Sequence, residues 1–175
     1  MELLIPGLIL VALMVYASTR IKKVAAQAFE AETIETADFV IKKPEGFLNV
    51  INGDPRYAFE AYSKEFGGPG AEEFRKGTAT LTVHEGATSD AVAADILESG
   101  ITKVADIGEM IGDVRYRLIE GKRSDKGIDF QEFYKIGEAD GRVYELRFTK
   151  LADTTPEFDS GAELMVNSFE LISKT

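Results

Sequence analysis

The chain has 175 residues, with 20 basic and 30 acidic side chains and a formal net charge of −10. That charge argues against a nucleic-acid-binding protein, because contacts with phosphates need a basic face. The chain has no cysteine and a single histidine, His84, which excludes disulfide bonds, thiolate metal sites, cysteine nucleophiles and multi-histidine metal sites. The length favours one globular domain, and the composition indicates no particular chemistry.

The chain begins with an uncharged apolar segment. Residues 3–17 read LLIPGLILVALMVYA, and Ser18 and Thr19 can extend the segment. Seventeen helical residues reach roughly 25 Å, the lower end of what crosses a bilayer core. A cleavable signal peptide is one alternative, but it needs a basic region and only Glu2 precedes the segment. A buried core helix is the other, but a helix without a polar face does not suit the surface of a small domain. We therefore expect a retained transmembrane anchor over residues 1–23.

The charges that flank this segment predict its orientation. Arg20, Lys22 and Lys23 follow it directly, and no lysine or arginine precedes it. The positive-inside rule then places the N-terminus outside and the rest of the chain on the cytoplasmic side of an inner or cytoplasmic membrane. We expect these three cations and Tyr16 to lie at the interface between lipid and water, where cations meet anionic headgroups and aromatic rings are favoured.

The elements after the anchor are predicted from periodicity and turn residues. They are a helical linker over 24–35, a strand over 38–42, a helix over 54–66, a loop over 67–70, a strand over 77–86, a helix over 89–99, strands over 113–120, 130–136 and 142–150, a helix opened by Thr155-Pro156-Glu157, and a strand over 168–172. Asp140-Gly141 predicts a hairpin turn between the last two strands of the group of three. This order predicts an α+β fold over residues 36–175, in which helices cover an antiparallel sheet.

Three features of this domain are candidates for functional sites. Phe59, Tyr62 and Phe66 share one face of the predicted helix and favour a core position, whereas Tyr57 is a possible contact for a partner if it is exposed. A catalytic histidine needs a nucleophile to activate and a group that orients its ring, and the sequence shows neither at a recognisable spacing from His84. We therefore expect His84 to be exposed or to lie at the rim of a surface.

Acidic residues are the third feature. The abundant carboxylates are Asp106, Glu109, Asp113, Asp125 and Asp129, and they do not follow the order of an EF-hand loop. We interpret them as a solvated surface. No cofactor, metal site or catalytic residue is predicted.

Three short segments resemble those of one known family. The sequence KKPEGF at 42–47, together with GRVYELRFTK at 141–150 and NSFELI at 167–172, resembles the opening and closing segments of PsbP-like domains, and the DcrB lipoproteins share the closing segments. The resemblance covers residues 36–172 and implies an α/β/α sandwich and an accessory role. In this family, PsbP proteins are located on the oxygen-evolving photosystem, and their relatives act as assembly or cell-envelope factors. The family has no shared catalytic centre, so it supplies no active-site residue.

These observations lead to two hypotheses about function. The first is a non-catalytic, single-span accessory subunit that caps or stabilises a larger membrane protein complex, photosynthetic or respiratory, with Gly7 and Ala12 allowing another helix to approach closely. The resemblance favours a photosynthetic complex. The alternative is a membrane-tethered binding module for a divalent cation or a small ligand, which would use the acidic surface of the domain.

Overall fold

The computed structural model describes residues 4–172, except for the side chains of residues 4–10, 12 and 24. The helices are α1 (Leu4–Gln27), α2 (Ser89–Glu98) and α3 (Pro156–Asn167). The strands are β1 (Glu32–Glu35), β2 (Phe39–Lys43), β3 (Phe47–Asn49), β4 (Tyr57–Ser63), β5 (Gly77–Glu85), β6 (Thr102–Ile111), β7 (Val114–Asp125), β8 (Ile128–Ala139), β9 (Arg142–Leu151) and β10 (Glu170–Leu171).

The strands form two antiparallel sheets. The large sheet has the strand order β3-β4-β5-β9-β8-β7-β6, and the small sheet has the order β1-β2-β10. Successive side chains of a strand point to opposite faces, so each strand of the large sheet contributes to two different surfaces. One surface packs on α3 and the small sheet, and the other packs on α2. We call these surfaces the α3 face and the α2 face.

The α3 face carries the main apolar core. On β9, Tyr144, Leu146 and Phe148 are at most 2% exposed, and they pack with Met165 of α3 and Phe169, which precedes β10. Burial of a large apolar side chain contributes about 1.5–3 kcal/mol, so this cluster is the main source of stability. It also confirms the inward alternation that the sequence predicts for this strand.

The α2 face has a smaller apolar cluster. Val92, Ala93 and Ile96 of α2 pack on the large sheet against Ile136 and Val143. Toward β5 this face carries Thr78, Thr80, Arg147 and Thr149, beside an edge-to-face contact between Phe74 and Phe130. The sheet is therefore covered by helices on both faces, as in the predicted sandwich, but unequally.

The predicted hairpin is confirmed. β8 and β9 pair along their length, and Asp140 and Gly141 connect them with φ of 52° and 71°. Two successive positive φ values define the type I′ turn, whose twist matches that of the flanking strands. Helix α3 begins at Pro156, as the sequence Thr155-Pro156-Glu157 predicts, and the side chain of Thr155 caps it by accepting a hydrogen bond from the N–H of Phe158.

The helix predicted over 54–66 is wrong, because β4 occupies most of that segment. Phe59, Ala61 and Ser63 alternate as buried residues and pair on either side with β3 and β5. Asp54 caps no helix; it accepts hydrogen bonds from the backbone and guanidinium of Arg56. The aromatic spacing matched a helical period by coincidence, and pairing with two neighbouring strands determined the structure.

Helix α1 ends earlier than the sequence predicts, and the strands β1, β3 and β6 were not predicted. The helix ends at Gln27, and β1 begins at Glu32 within the predicted helical linker. β3 is only three residues long, and β6 lies at the edge of the large sheet, so neither strand shows clear alternation of apolar residues. The strands β2, β5, β7 and β10 and the helix α2 correspond to predicted elements, although β7 is longer than expected.

Candidate functional site

Helix α1 presents apolar side chains in every direction. Val11, Leu13, Met14 and Val15 are each 60–62% exposed. At about 100° per residue these four positions and Tyr16, which is 64% exposed, are distributed around the helix, so the body of the protein covers none of its sides over residues 11–16. Helices that are apolar on all sides are normally buried in a protein interior or in a membrane.

The predicted interfacial residues follow at the C-terminal part of the same helix. Tyr16, Arg20, Lys22 and Lys23 are all exposed. The hydroxyl of Thr19 donates a hydrogen bond of 2.8 Å to the carbonyl of Val15, one turn earlier, so this polar group is satisfied within the helix.

The remaining predictions for α1 fall partly outside the described residues. Gly7 and Ala12 lie within the helix, but their surroundings are outside the description of the side chains. Within the part of the chain that is described, no helix combines the length and apolarity needed to cross a bilayer.

A buried lysine joins the end of α1 to the body. Lys43 of β2 is 1% exposed, and its ammonium group donates hydrogen bonds to the backbone carbonyls of Ala28, Glu30 and Phe47, the last at 2.8 Å. The backbone N–H of Gly46 adds a bond of 2.8 Å to the carbonyl of Phe29. These contacts hold the segment after α1 against the turn between β2 and β3, and we call them the Lys43 junction.

Burial affects the charge of this lysine. Desolvation lowers the pKa of Lys43, and the nearby carboxylates of Glu32 and Glu30 partly offset that effect. Because three carbonyls accept from the ammonium group, its buried donors are used. Sequence reasoning missed the junction, since a single lysine at the end of a strand carries no recognisable signal.

The α2 face contains a network of charged groups around a buried carboxylate. The side chain of Glu132 on β8 is fully buried. Its carboxylate accepts hydrogen bonds from Tyr134 at 2.6 Å, from Arg147 at 2.7 Å and from Arg123 at 3.0 Å. The Nε of Arg147 is buried without a hydrogen-bond partner among the described residues.

The network perturbs the pKa values of its members. Desolvation raises the pKa of Glu132, but the hydrogen bonds from Tyr134 and Arg147 outweigh it, and the net pKa is lowered. Burial and the hydrogen bond to Glu132 both raise the pKa of Tyr134. Glu132 is therefore an anion at neutral pH and holds its partners in place, which is the behaviour of a structural carboxylate rather than of a general acid.

His84 lies on the same face, beside this network. It is partly exposed, as expected for a rim histidine, and its Nε2 lies 2.8 Å from the carboxylate of Glu145 on the neighbouring strand β9. Sequence reasoning missed this partner, because Glu145 is 61 residues away along the chain.

Tyr57 stands at the start of β4 and not on a helix. It is half-buried, and the guanidinium of Arg56 lies 5.6 Å from the centre of its ring. A half-exposed aromatic ring with a neighbouring cation is compatible with a contact for a partner. That role stays a prediction.

The α3 face contains a cavity of about 320 Å³ between α3 and the strands β7 and β8. At its margin the ammonium group of Lys150 donates to Asp159 at 2.6 Å and to Thr154 at 3.0 Å. Leu118 and Phe133 provide apolar lining. Volumes of this order are at the lower end of those that hold small organic ligands.

The carboxylates considered above are dispersed. Asp106 pairs with Arg117 at 2.9 Å, and Glu109 lies 3.5 Å from the ammonium group of Lys135. Asp125 is 3.8 Å from Arg123. Among the residues that the structure describes, no three acidic or histidine side chains converge on a point where they could hold a metal ion.

The fold is shared with solved structures of other proteins. The solution structure of cyanobacterial PsbP (CyanoP) from Synechocystis matches with a TM-score of 0.58 and 10% identity, over 82% of this chain and 94% of that chain. The crystal structure of LpqN, involved in cell envelope biogenesis of Mycobacterium tuberculosis, matches with a TM-score of 0.57 and 12% identity, over 81% of this chain and 90% of that chain.

These similarities define a PsbP-like fold for this chain. No protein-family profile matches its sequence, and no curated protein does so either. At identities of 10–12% the fold is what is shared, and the function has to be argued from this chain's own surfaces.

Proposed function

We propose that this protein is a non-catalytic accessory subunit, anchored by one transmembrane helix, that packs on a larger membrane protein complex and stabilises or caps it. The observation that carries the proposal is α1, whose described apolar side chains are exposed on all sides while its C-terminal end is attached to the body at the Lys43 junction. An apolar helix of this kind needs a bilayer or another protein around it.

The distribution of charge supports an orientation. Arg20, Lys22 and Lys23 are exposed at the end of α1 nearest the body, where they can meet the anionic headgroups of a cytoplasmic leaflet. Residues 24–175 carry 17 basic and 29 acidic side chains, so the body is repelled by the same leaflet. The proposed arrangement has the N-terminus outside and the PsbP-like domain in the cytoplasm, in contact with the complex.

The partner is proposed as a photosynthetic or respiratory complex. One structural neighbour is a cyanobacterial PsbP, which supports the photosynthetic choice, and the other is involved in cell envelope biogenesis, which supports a membrane-associated complex. Gly7 and Ala12 are proposed to contact a neighbouring helix, and Tyr57 is proposed to contact the complex beside the membrane.

Purification of tagged full-length protein in mild detergent, followed by mass spectrometry, tests this proposal. We expect one dominant complex in fixed proportion to the protein. Replacing Gly7 or Ala12 with leucine should reduce its recovery at least fivefold, whereas V15L on the same helix serves as the matched control and should not. Y57A should have a smaller effect. Migration of the unmodified chain as a free 19.2 kDa protein would contradict the proposal.

Membrane insertion and orientation have a separate test. The absence of native cysteine allows single cysteines to be introduced at Glu2 and at the exposed Asp153. In intact cells a membrane-impermeant maleimide should label E2C and not D153C, and both should react after the membrane is opened. The opposite labelling would reverse the proposed orientation, and extraction of the chain by alkaline carbonate would show that it does not span the bilayer.

A second candidate function is favoured by the cavity on the α3 face. A tethered binding module for a small ligand would use this cavity of about 320 Å³, with the Lys150–Asp159 pair at its margin. Screening small organic acids and amines for a shift in melting temperature tests this alternative. A shift that L118W abolishes would support it, because the larger ring would fill the cavity.

A further inference from the structure

The strand β6 forms one open edge of the large sheet. It is ten residues long, contains no proline, and has only β7 as its neighbour in the sheet. Val104, Ile107 and Met110 are 52%, 60% and 62% exposed. Edge strands of this length normally carry devices that prevent pairing with another chain, such as proline, unpaired charge, a covering loop or a β-bulge. β6 has a bulge near its start, where the register with β7 shifts between Lys103 and Ala105, so its regular edge runs from Ala105 to Ile111.

The charges on β6 are already neutralised within the chain. Asp106 pairs with Arg117 at 2.9 Å and lies 3.6 Å from Lys103, and Glu109 lies 3.5 Å from Lys135. The strand therefore presents a nearly neutral edge, although the chain as a whole has a net charge of −10. This local neutrality lowers the repulsion between two copies at this edge.

The hairpin between β6 and β7 determines which backbone groups face outward. Ile111 and Val114 close the two-residue turn at Gly112, which has a φ of 59°. A two-residue turn is closed by a hydrogen-bonded pair, and such pairs alternate along an antiparallel ladder. The N–H and C=O groups of Asp106, Gly108 and Met110 consequently point away from β7, toward the open edge.

We infer that β6 pairs with β6 of a second copy of this chain, antiparallel and centred on Ile107. In this register the outward groups of Asp106 lie opposite those of Gly108 of the second copy, and the two Ile107 side chains meet. Met110 lies on the opposite face of the sheet from Ile107, and Val104 lies in a β-bulge, so the apolar contact across this pair is the one between the two Ile107 side chains. Glu109 lies opposite Ala105, and no two like charges oppose each other.

The neighbouring registers fit less well. Centring the pair on Asp106 would place that aspartate opposite itself, and centring it on Gly108 would place Ile107 opposite Glu109. Like charges directly opposite one another destabilise a strand pair, and cross-strand apolar pairs stabilise it by roughly 0.2–1 kcal/mol each. The self-complementarity of one register favours a second copy over an unrelated strand as the occupant of this edge.

Disulfide crosslinking of the full chain in detergent tests this inference directly. Directly opposed residues in a non-hydrogen-bonded antiparallel pair have Cβ atoms about 4.5–5.5 Å apart, close enough for a disulfide after small adjustments. Because the chain has no native cysteine, I107C should form disulfide-linked dimers under mild oxidation at least tenfold faster than I51C. Ile51, which is 80% exposed outside β6, is the matched control.

A second substitution tests the role of the backbone. G108P removes an outward N–H that makes no bond within the sheet, so the monomer should tolerate it, as edge strands tolerate proline. In the I107C background it should slow crosslinking at least fivefold. Equal crosslinking rates for I107C and I51C, or a G108P variant that remains folded and crosslinks at the original rate, would overturn the inference. Because the readout needs no partner complex, failure here is separate from failure of the proposed function.

Discussion

The two faces of the large sheet differ in what covers them and in what holds them together. On the α3 face, one helix and a small sheet bury a continuous set of aromatic and aliphatic side chains. On the α2 face, the short helix α2 covers a smaller apolar cluster, and a carboxylate with three hydrogen-bond donors occupies the neighbouring area. The same strands, with alternating residues, therefore stabilise one face by apolar packing and part of the other by charge.

The largest expected effect on stability comes from comparing two adjacent residues of β9 whose side chains lie on opposite faces of the sheet. F148A removes a fully buried ring from the α3 face and should lower the free energy of unfolding by about 3–5 kcal/mol, because it leaves a cavity in a packed core. T149A, one residue further and on the α2 face, should cost much less. Urea unfolding of the two variants measures the difference, and equal losses would show that the faces contribute alike.

An intermediate effect is expected at Glu132. E132Q keeps the shape of the side chain but removes the charge that Arg123 and Arg147 share, so it should cost roughly 1–3 kcal/mol at neutral pH. The difference between the original chain and E132Q should shrink in acid. The pKa of Glu132 is lowered by folding, so its contribution is complete above the pKa of the unfolded chain and is lost as the pH falls through the lower pKa of the folded state.

Urea unfolding of both proteins at a series of pH values measures this dependence. E138Q, at an exposed position on the same strand, is the control and should behave like the original chain at every pH. A stability difference for E132Q that does not change between neutral and acid pH would show that the carboxylate contributes by its shape alone.

The smallest effect is expected at the open part of the α2 face. Thr78 on β5 is exposed, and T78V should change the free energy of unfolding by no more than about 0.5 kcal/mol. Thermal unfolding followed by circular dichroism is sufficient to detect a larger change. A loss above that limit would mean that the exposed threonines contribute to stability and would weaken the contrast between the two faces.

The sequence predicted the parts of the fold in which local signals agree with long-range pairing. Three predicted features are observed: the alternation on β5 and β9, the Asp140-Gly141 turn, and the start of the last helix at Thr155-Pro156. β4 was mistaken for a helix, because Asp54-Pro55 has the form of a helix start and the aromatic residues after it have a helical spacing. Pairing with two neighbouring strands outweighed both signals, and such pairing is not visible in a local window.

The candidate sites were less predictable than the fold. The network around Glu132 combines residues from β7, β8 and β9, and the Lys43 junction combines one strand with the segment after α1. Each depends on groups that come together only in the folded chain. The exposed cations after the apolar segment were recognisable because charge beside an apolar helix is a local pattern.

The Lys43 junction also has a mechanical meaning. Only residues 28–31 separate the end of α1 from β1, a span of at most about 14 Å if fully extended, and the carbonyls of three of them are bonded to the body. The body is therefore not connected to the helix by a flexible linker, and it cannot reorient freely relative to α1. A tilt or rotation of α1 is transmitted directly to the sheet. The orientation of the helix therefore determines the orientation of the whole domain.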